Sequence, residues 1–101
     1  MTQDIKIVQG FRGEYPYTLS FNGIDIDISS NTTVYFNFTN GIKRYSIHCN
    51  QGPKPNEVII PFTTQTSEFG EFDGEFVVQT STSKSIYPIE TPILVKIRKC
   101  I

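Results

Sequence analysis

The sequence predicts an all-β protein folded as an immunoglobulin-like sandwich of antiparallel sheets. Residues that favour strands are abundant, including eight Phe and five Tyr, whereas alanine, the best helix former, is absent. Apolar and polar residues alternate in several segments, and no stretch repeats apolar residues with helical spacing. Turn residues separate about seven short strand-like segments, which is typical of a β-sandwich. A small β-barrel is the alternative architecture.

The size and charge of the chain limit the function classes. Its 101 residues are enough for one domain, predicted to cover residues 1–101. Charged residues make up 19% and the net charge is -1, so we expect no nucleic-acid partner and no membrane surface partner. No apolar segment approaches the ~20 residues of a membrane-spanning helix. The start of the chain lacks the apolar run of a secretory signal, which predicts that Cys49 and Cys100 are free thiols.

The first part of the chain predicts two strands and a turn. Ile5–Val8 is expected to be an edge strand that ends at Gln9-Gly10. Residues 15–21 alternate between apolar and polar, which predicts a strand with one buried face. Asn22-Gly23 then favours a turn into the short alternating segment 24–28.

A hairpin centred on Asn40-Gly41 is predicted next. A two-residue turn at these positions would place Phe36 opposite Tyr45, and it keeps the apolar residues of both arms on one face. One mismatch remains in this register, because Phe38 falls opposite Lys43. The stem of a lysine can lie over a ring while its charge reaches water.

The second half of the chain predicts three more strands. Residues 58–62 alternate, and a polar segment leads to Phe69–Val78, interpreted as a surface loop that becomes a buried strand after Gly74. Residues 93–97 form the last strand. The predicted core consists of Ile7, Tyr17, Leu19, Phe21, Val34, Phe36, Tyr45, Ile47, Val58, Ile60, Phe62, Phe76, Val78, Ile93, Val95 and Ile97.

The titratable residues predict no reactive centre. His48 is the single histidine, and as a strand neighbour of Cys49 it points to the opposite face. The carboxylates of residues 68–75 lack the spacing of a calcium loop, so they are interpreted as solvated side chains. Lys96 and Arg98 are interpreted as part of a charged sheet edge that prevents edge-to-edge pairing. We therefore expect no catalytic residue, no cofactor and no metal, and a protein that is not an enzyme.

Aromatic residues near loops or at outward positions are the candidate interface. Their rings could form contact patches for a protein partner, and the alternative is ordinary capping of the ends of the sandwich. The candidates are Phe11, Tyr15, Tyr35, Phe69, Phe72 and Tyr87. Phe69 and Phe72 are expected to form the exposed shoulder of the stretch Phe69–Val78.

Three segments carry a resemblance to a known family. They are Ile26-Asp-Ile-Ser-Ser-Asn-Thr-Thr-Val-Tyr-Phe36, Gly70-Glu-Phe-Asp-Gly-Glu-Phe76, and Ile86-Tyr-Pro88 with the apolar strand that follows it. Together they resemble the N-terminal immunoglobulin-like module of tailed-phage baseplate upper proteins, and similar modules in phage head fibres and auxiliary capsid proteins. The resemblance implies an immunoglobulin-like fold.

The same resemblance implies a function. In such proteins the module is a non-enzymatic structural unit that docks on the virion, as a capsid decoration or as an attachment for a fibre or baseplate. The implied partners are the major capsid protein, other virion proteins or further copies of the chain. The implied location is the virion, after synthesis in the cytoplasm of a host bacterium. The alternative function is an adhesive or carbohydrate-binding module, in which Tyr and Phe rings would stack on sugars.

Overall fold

The computed structural model describes residues 4–21, 23–28, 32–88 and 91–101, and in these residues it contains eleven β-strands and no helix. The strands are β1 (Ile5–Val8), β2 (Gly13–Thr18), β3 (Ser20–Phe21), β4 (Ile24–Asp25), β5 (Thr33–Thr39), β6 (Arg44–His48), β7 (Asn50–Gln51), β8 (Glu57–Phe62), β9 (Gly70–Gln79), β10 (Lys84–Tyr87) and β11 (Ile93–Arg98). The predicted all-β class is confirmed.

The larger sheet is built around β9. Its order is β1-β11-β9-β5-β6, and β10 also pairs with β9. β5 lies along one edge of β9, while β11 and then β10 lie along the other. Eight strands of the described chain have four or more residues. β10 and β11 pair with successive parts of the same edge of β9, so these eight strands occupy seven strand positions, as predicted. The pairing of β1 with β11 is parallel, which the sequence did not predict.

The smaller sheet has the order β2-β8-β7 and covers one face of the larger sheet. The chain crosses between the sheets at Cys49, whose N–H donates to Val34 O at 2.8 Å before β7 pairs with β8. β3 and β4 form a hairpin at the predicted turn, where Gly23 has φ +79°, and Asn22 lies outside the described residues. No ladder joins the two sheets in the described strands, so the fold is a sandwich and not a barrel.

Buried side chains from both sheets form one core. The predicted core residues are buried, with one exception among those whose burial the structure describes. Tyr45 is half-buried and packs against the core cluster. Phe21 is not among the residues whose burial is described. Aromatic rings fill the centre, with Phe36 and Phe76 at 4.8 Å between ring centroids. Phe38 and Phe72 join them, in an edge-to-face contact at 5.5 Å.

The predicted register of the β5–β6 hairpin is wrong by two residues. Phe38 lies opposite Tyr45 and Phe36 opposite Ile47, because the loop has four residues, from Asn40 to Lys43. The side chain of Asn40 stabilises this longer loop, since its Oδ1 accepts the N–H groups of Ile42 and Lys43 at 2.9 and 2.8 Å. A shift of two residues keeps every side chain on its predicted face, and it removes the mismatch of Phe38 with Lys43.

The prediction that the strand begins only after Gly74 is also wrong. β9 already begins at Gly70, and Gly74 lies buried in the middle of the strand. A Cβ on Gly74 would lie 2.6 Å from Cζ of Phe36. The absence of a side chain therefore makes room for the Phe36 ring. Because the strand starts earlier than predicted, Phe72 alternates onto the inner face with Phe76.

Candidate functional site

Four loops and tails meet at one end of the sandwich. Pairing places the end of β1 beside the end of β11, and the start of β9 beside both β11 and the end of β5. The start of β2 pairs with the end of β8 at the same end. We call this region the loop end, and it consists of residues 9–12, 40–43, 63–69 and 99–101.

Hydrogen bonds fasten the loops of the loop end to one another. Gly10 N donates to Thr66 O at 2.9 Å, and the buried hydroxyl of Thr66 donates to Phe11 O at 2.7 Å. Gln9 bridges two further segments, because its Nε2 donates to Ser67 O at 2.9 Å and its Oε1 accepts from Cys100 N at 3.3 Å. A surface fixed in this way loses little conformational entropy when a partner binds.

A salt bridge connects the hairpin to the loop before β9. Lys43 Nζ lies 2.6 Å from Glu68 Oε1, and this hydrogen bond and the charge of Glu68 raise the pKa of Lys43. Each member of the salt bridge has an exposed apolar neighbour in the sequence. Ile42, before Lys43, is 90% exposed, and Phe69, after Glu68, is 54% exposed. Lys99 Nζ lies over the Phe69 ring, 5.6 Å from its centroid. The loop end therefore exposes two apolar side chains, Ile42 and Phe69, and the cation of Lys99 lies over the second of them.

The structure brings two of the six candidate aromatic residues together, because both pack on the Phe62 ring. Phe11, in the loop end, and Tyr15, in β2, are half-buried, and both pack edge-to-face on Phe62, at 6.0 and 6.3 Å between centroids. Phe69 is also in the loop end, where its ring is exposed. Phe72, expected beside Phe69 on an exposed shoulder, is only 1% exposed, so that expectation is wrong.

The other two candidates lie away from the loop end. Tyr35 is half-buried on the outer face of the larger sheet, 5.2 Å from the His48 ring between centroids. Tyr87 lies opposite Phe76 and packs partly against the core. The sequence interpretation missed Ile42. Ile42 could have been identified from the sequence, because an apolar residue directly after Asn-Gly lies in a loop and is not expected to contribute to the core.

The groups that could carry reaction chemistry are dispersed. Among the described residues, no three His, Cys, Asp or Glu side chains come close enough to hold a metal ion. His48 is exposed, whereas burial raises the pKa of the Cys49 thiol to about 12, which disfavours a thiolate nucleophile. Cys100 is exposed in the terminal segment.

Three grooves on the larger sheet are shallow. Their volumes are about 130, 240 and 290 Å³, at or below the size of ordinary small-molecule pockets. The largest of the three is bordered by Lys6, Lys96 and Arg98. These surfaces fit contacts with a macromolecule better than the enclosure of a small ligand.

Comparison of the chain with protein-family models, curated proteins and solved structures finds no match. In the part of the chain that the structure describes, no helix has the length and apolar character needed to cross a membrane.

Proposed function

We propose that this chain is a non-enzymatic structural module of a bacteriophage virion, which docks through its loop end onto a major capsid or other virion protein. The observation that carries the docking surface is the exposed Phe69 ring, in a loop whose neighbouring residues Thr66 and Ser67 are hydrogen-bonded to residues 9–11. The all-β sandwich is compatible with such a module, because the phage resemblance implies a fold of this class. The chain would be made in the cytoplasm of a host bacterium and would reside in the virion.

The energetics of such docking suit a repetitive shell. Removing one Phe or Ile side chain from water contributes about 1.5–3 kcal/mol, so each copy would bind modestly. Many copies on a symmetric particle would together hold firmly. Lys99 beside Phe69 favours a partner surface with an apolar depression and an acidic border.

Purified virions of the source phage provide the test of location. Quantitative mass spectrometry should find the chain at a fixed, high copy number per particle, and electron microscopy should place it on the shell, the fibre or the baseplate. Absence of the chain from purified particles would refute the virion proposal.

The docking surface can be tested separately by adding recombinant chain to particles that lack it. Phe69→Ser and Ile42→Ser should each reduce the amount bound, because each removes one of the two exposed apolar side chains of the loop end. Ile24→Ser is the matched control, since Ile24 is 65% exposed but lies in β4, outside the loop end. Equal binding by all three variants would show that another surface docks.

The carbohydrate-binding alternative receives less support from the geometry. Lys99 lies over one face of Phe69, and the rings of Tyr15 and Tyr35 are half-buried. A glycan array that binds the wild-type chain and fails to bind Phe69→Ser would nevertheless favour the adhesive module over the virion module.

A further inference from the structure

The loop of the β5–β6 hairpin contains the dipeptide Asn40-Gly41, in which a side-chain amide precedes a glycine nitrogen. Asn40 Cγ and Gly41 N are joined through Cβ, Cα and the carbonyl carbon of Asn40, so a bond between them closes a five-membered ring. Reaction within one molecule has a large entropic advantage over reaction with a separate molecule. Glycine obstructs this ring least because it has no Cβ, and a Cβ built on Gly41 meets nothing within 4 Å.

Two backbone N–H groups polarise the side-chain carbonyl of Asn40. Its Oδ1 accepts from Ile42 N at 2.9 Å and from Lys43 N at 2.8 Å. Addition of a nucleophile to Cγ places negative charge on Oδ1, and donors already aimed at this atom stabilise that charge as it develops. The hydrogen bonds that close the loop therefore also make Asn40 Cγ a better electrophile.

The hydroxyl of Thr39 contacts the other reacting group. Gly41 N donates to Thr39 Oγ1 at 3.0 Å, and this hydroxyl in turn donates to Lys43 O at 2.7 Å. Because the hydroxyl proton is directed at Lys43 O, a lone pair of Thr39 Oγ1 faces the Gly41 N–H and draws its proton away from the nitrogen. Asn40 and Gly41 are both exposed, so hydroxide from solvent can reach the N–H group.

We propose that Asn40 is a site of self-modification, at which the folded loop promotes the loss of the side-chain amide. Gly41 N gives its proton to solvent and bonds to Asn40 Cγ, while the bond from Cγ to Nδ2 breaks and Nδ2 leaves as ammonia with a proton from water. Water then adds to either carbonyl carbon of the resulting succinimide and opens the ring. The product is an aspartate or an isoaspartate at position 40, and the net reaction consumes one water and releases one ammonia.

The two products change the loop end in different ways. An aspartate keeps both backbone donors and binds them with a carboxylate, which forms charge-assisted hydrogen bonds. An isoaspartate passes the main chain through Cβ and Cγ, so the four-residue loop gains one backbone carbon and Ile42 must shift. Either product adds a negative charge to the loop that carries Lys43. The modification does not rest on the virion proposal, since its chemistry needs only residues 39–43.

Incubation of the purified chain at neutral pH, with peptide mapping at intervals, measures the reaction at Asn40. Mass spectrometry with electron-transfer fragmentation distinguishes the aspartyl from the isoaspartyl product. The same chain unfolded in urea gives the rate at Asn40-Gly41 without the hydrogen bonds of the loop. The folded chain should react about tenfold faster, which corresponds to ~1.4 kcal/mol of transition-state stabilisation. A folded chain that reacts no faster than the unfolded chain overturns the proposal.

Substitutions at Thr39 separate the effect of its hydroxyl from that of the loop shape. Thr39→Val removes the acceptor of the Gly41 N–H and should slow the reaction of the folded chain severalfold, whereas Thr39→Ser keeps the hydroxyl and should react at close to the wild-type rate. Thr33→Val makes the same change at the start of β5, outside the loop, and should leave the rate unchanged. Equal rates for Thr39→Val and Thr39→Ser would overturn the contribution of the hydroxyl.

Discussion

The core of the sandwich and its loop end contain the same residue types in opposite settings. Phe72 in the core is 1% exposed, whereas Phe69 at the loop end is 54% exposed, although three positions separate them. Gly74 is buried against Phe36, whereas Gly41 stands in an open turn. Position relative to the strand, and not residue type, thus decides whether a side chain stabilises the fold or remains available to a partner.

Removing the two phenylalanines should give the largest contrast. Phe72→Ala leaves a cavity among Phe38 and Tyr45, and it should lower the free energy of unfolding by about 3–5 kcal/mol. Phe69→Ala removes a ring that is largely in water, and it should change that free energy by less than about 0.5 kcal/mol. Urea unfolding followed by circular dichroism measures both. Equal losses for the two variants would mean that the start of β9 is placed wrongly.

Adding one carbon to Gly74 should have the next largest effect. The new methyl of Gly74→Ala would lie 2.6 Å from Phe36 Cζ and 3.2 Å from Val95 Cγ2, so the core must shift at a cost of about 1–3 kcal/mol. Asp73→Ala changes the neighbouring position on the outer face, and it should cost less than about 0.5 kcal/mol. Thermal unfolding of both variants makes the comparison. A Gly74→Ala protein as stable as Asp73→Ala would refute the packing role of this glycine.

The alternation of apolar and polar residues explains why the inward-facing residues could be predicted and the register between neighbouring strands could not. The period of two fixed which residues of β5 and β6 point inward, but a shift of two residues preserves that pattern, so it could not distinguish the two registers. The side chain of Asn40 decided between them by accepting two backbone N–H groups of the loop. Local sequence did not show that Phe36 needs the space above Gly74, because that contact spans two strands.

The candidate site was predictable only in part, for a related reason. Aromatic residues near loops identified Phe11, Tyr15 and Phe69, but the pattern could not tell an exposed ring from one that packs on Phe62. Phe72 was placed wrongly because the segment up to Gly74, which includes Gly70, was interpreted as a surface loop. Only pairing with β11 shows that the strand already includes Gly70.

A side chain at Gly41 should produce a moderate loss of stability at the loop end. Gly41 has φ +92°, so Gly41→Val forces a β-branched residue into a conformation that costs about 1–3 kcal/mol. The expected loss comes from the backbone alone, since nothing lies within 4 Å of the position that a Cβ would take. Ile42→Val, at the exposed next position, is the control and should be nearly neutral. An unchanged melting temperature for Gly41→Val would contradict the turn geometry.

The two thiols should differ in reactivity at every pH where the protein is folded. At pH 8 a thiol reagent should modify the exposed Cys100 quickly, and it should reach Cys49 only after unfolding, because Cys49 is buried. Mass spectrometry of the intact chain over time counts the modified thiols. Rapid modification of both thiols would show that the segment around Cys49, where the chain passes from one sheet to the other, opens readily.

The burial of Cys49 also predicts a loss of stability that occurs only at alkaline pH. Burial raises the pKa of Cys49 from its ordinary value of 9.0 to about 12, so well below pH 9 the thiol is neutral in both the folded and the unfolded chain. Between pH 9 and 12 the unfolded chain loses this proton while the folded chain keeps it, which favours unfolding. The free energy of unfolding of the wild-type chain should therefore fall through this interval relative to that of Cys49→Ala. Since the two proteins differ only at position 49, parallel curves for the two would exclude a contribution from Cys49.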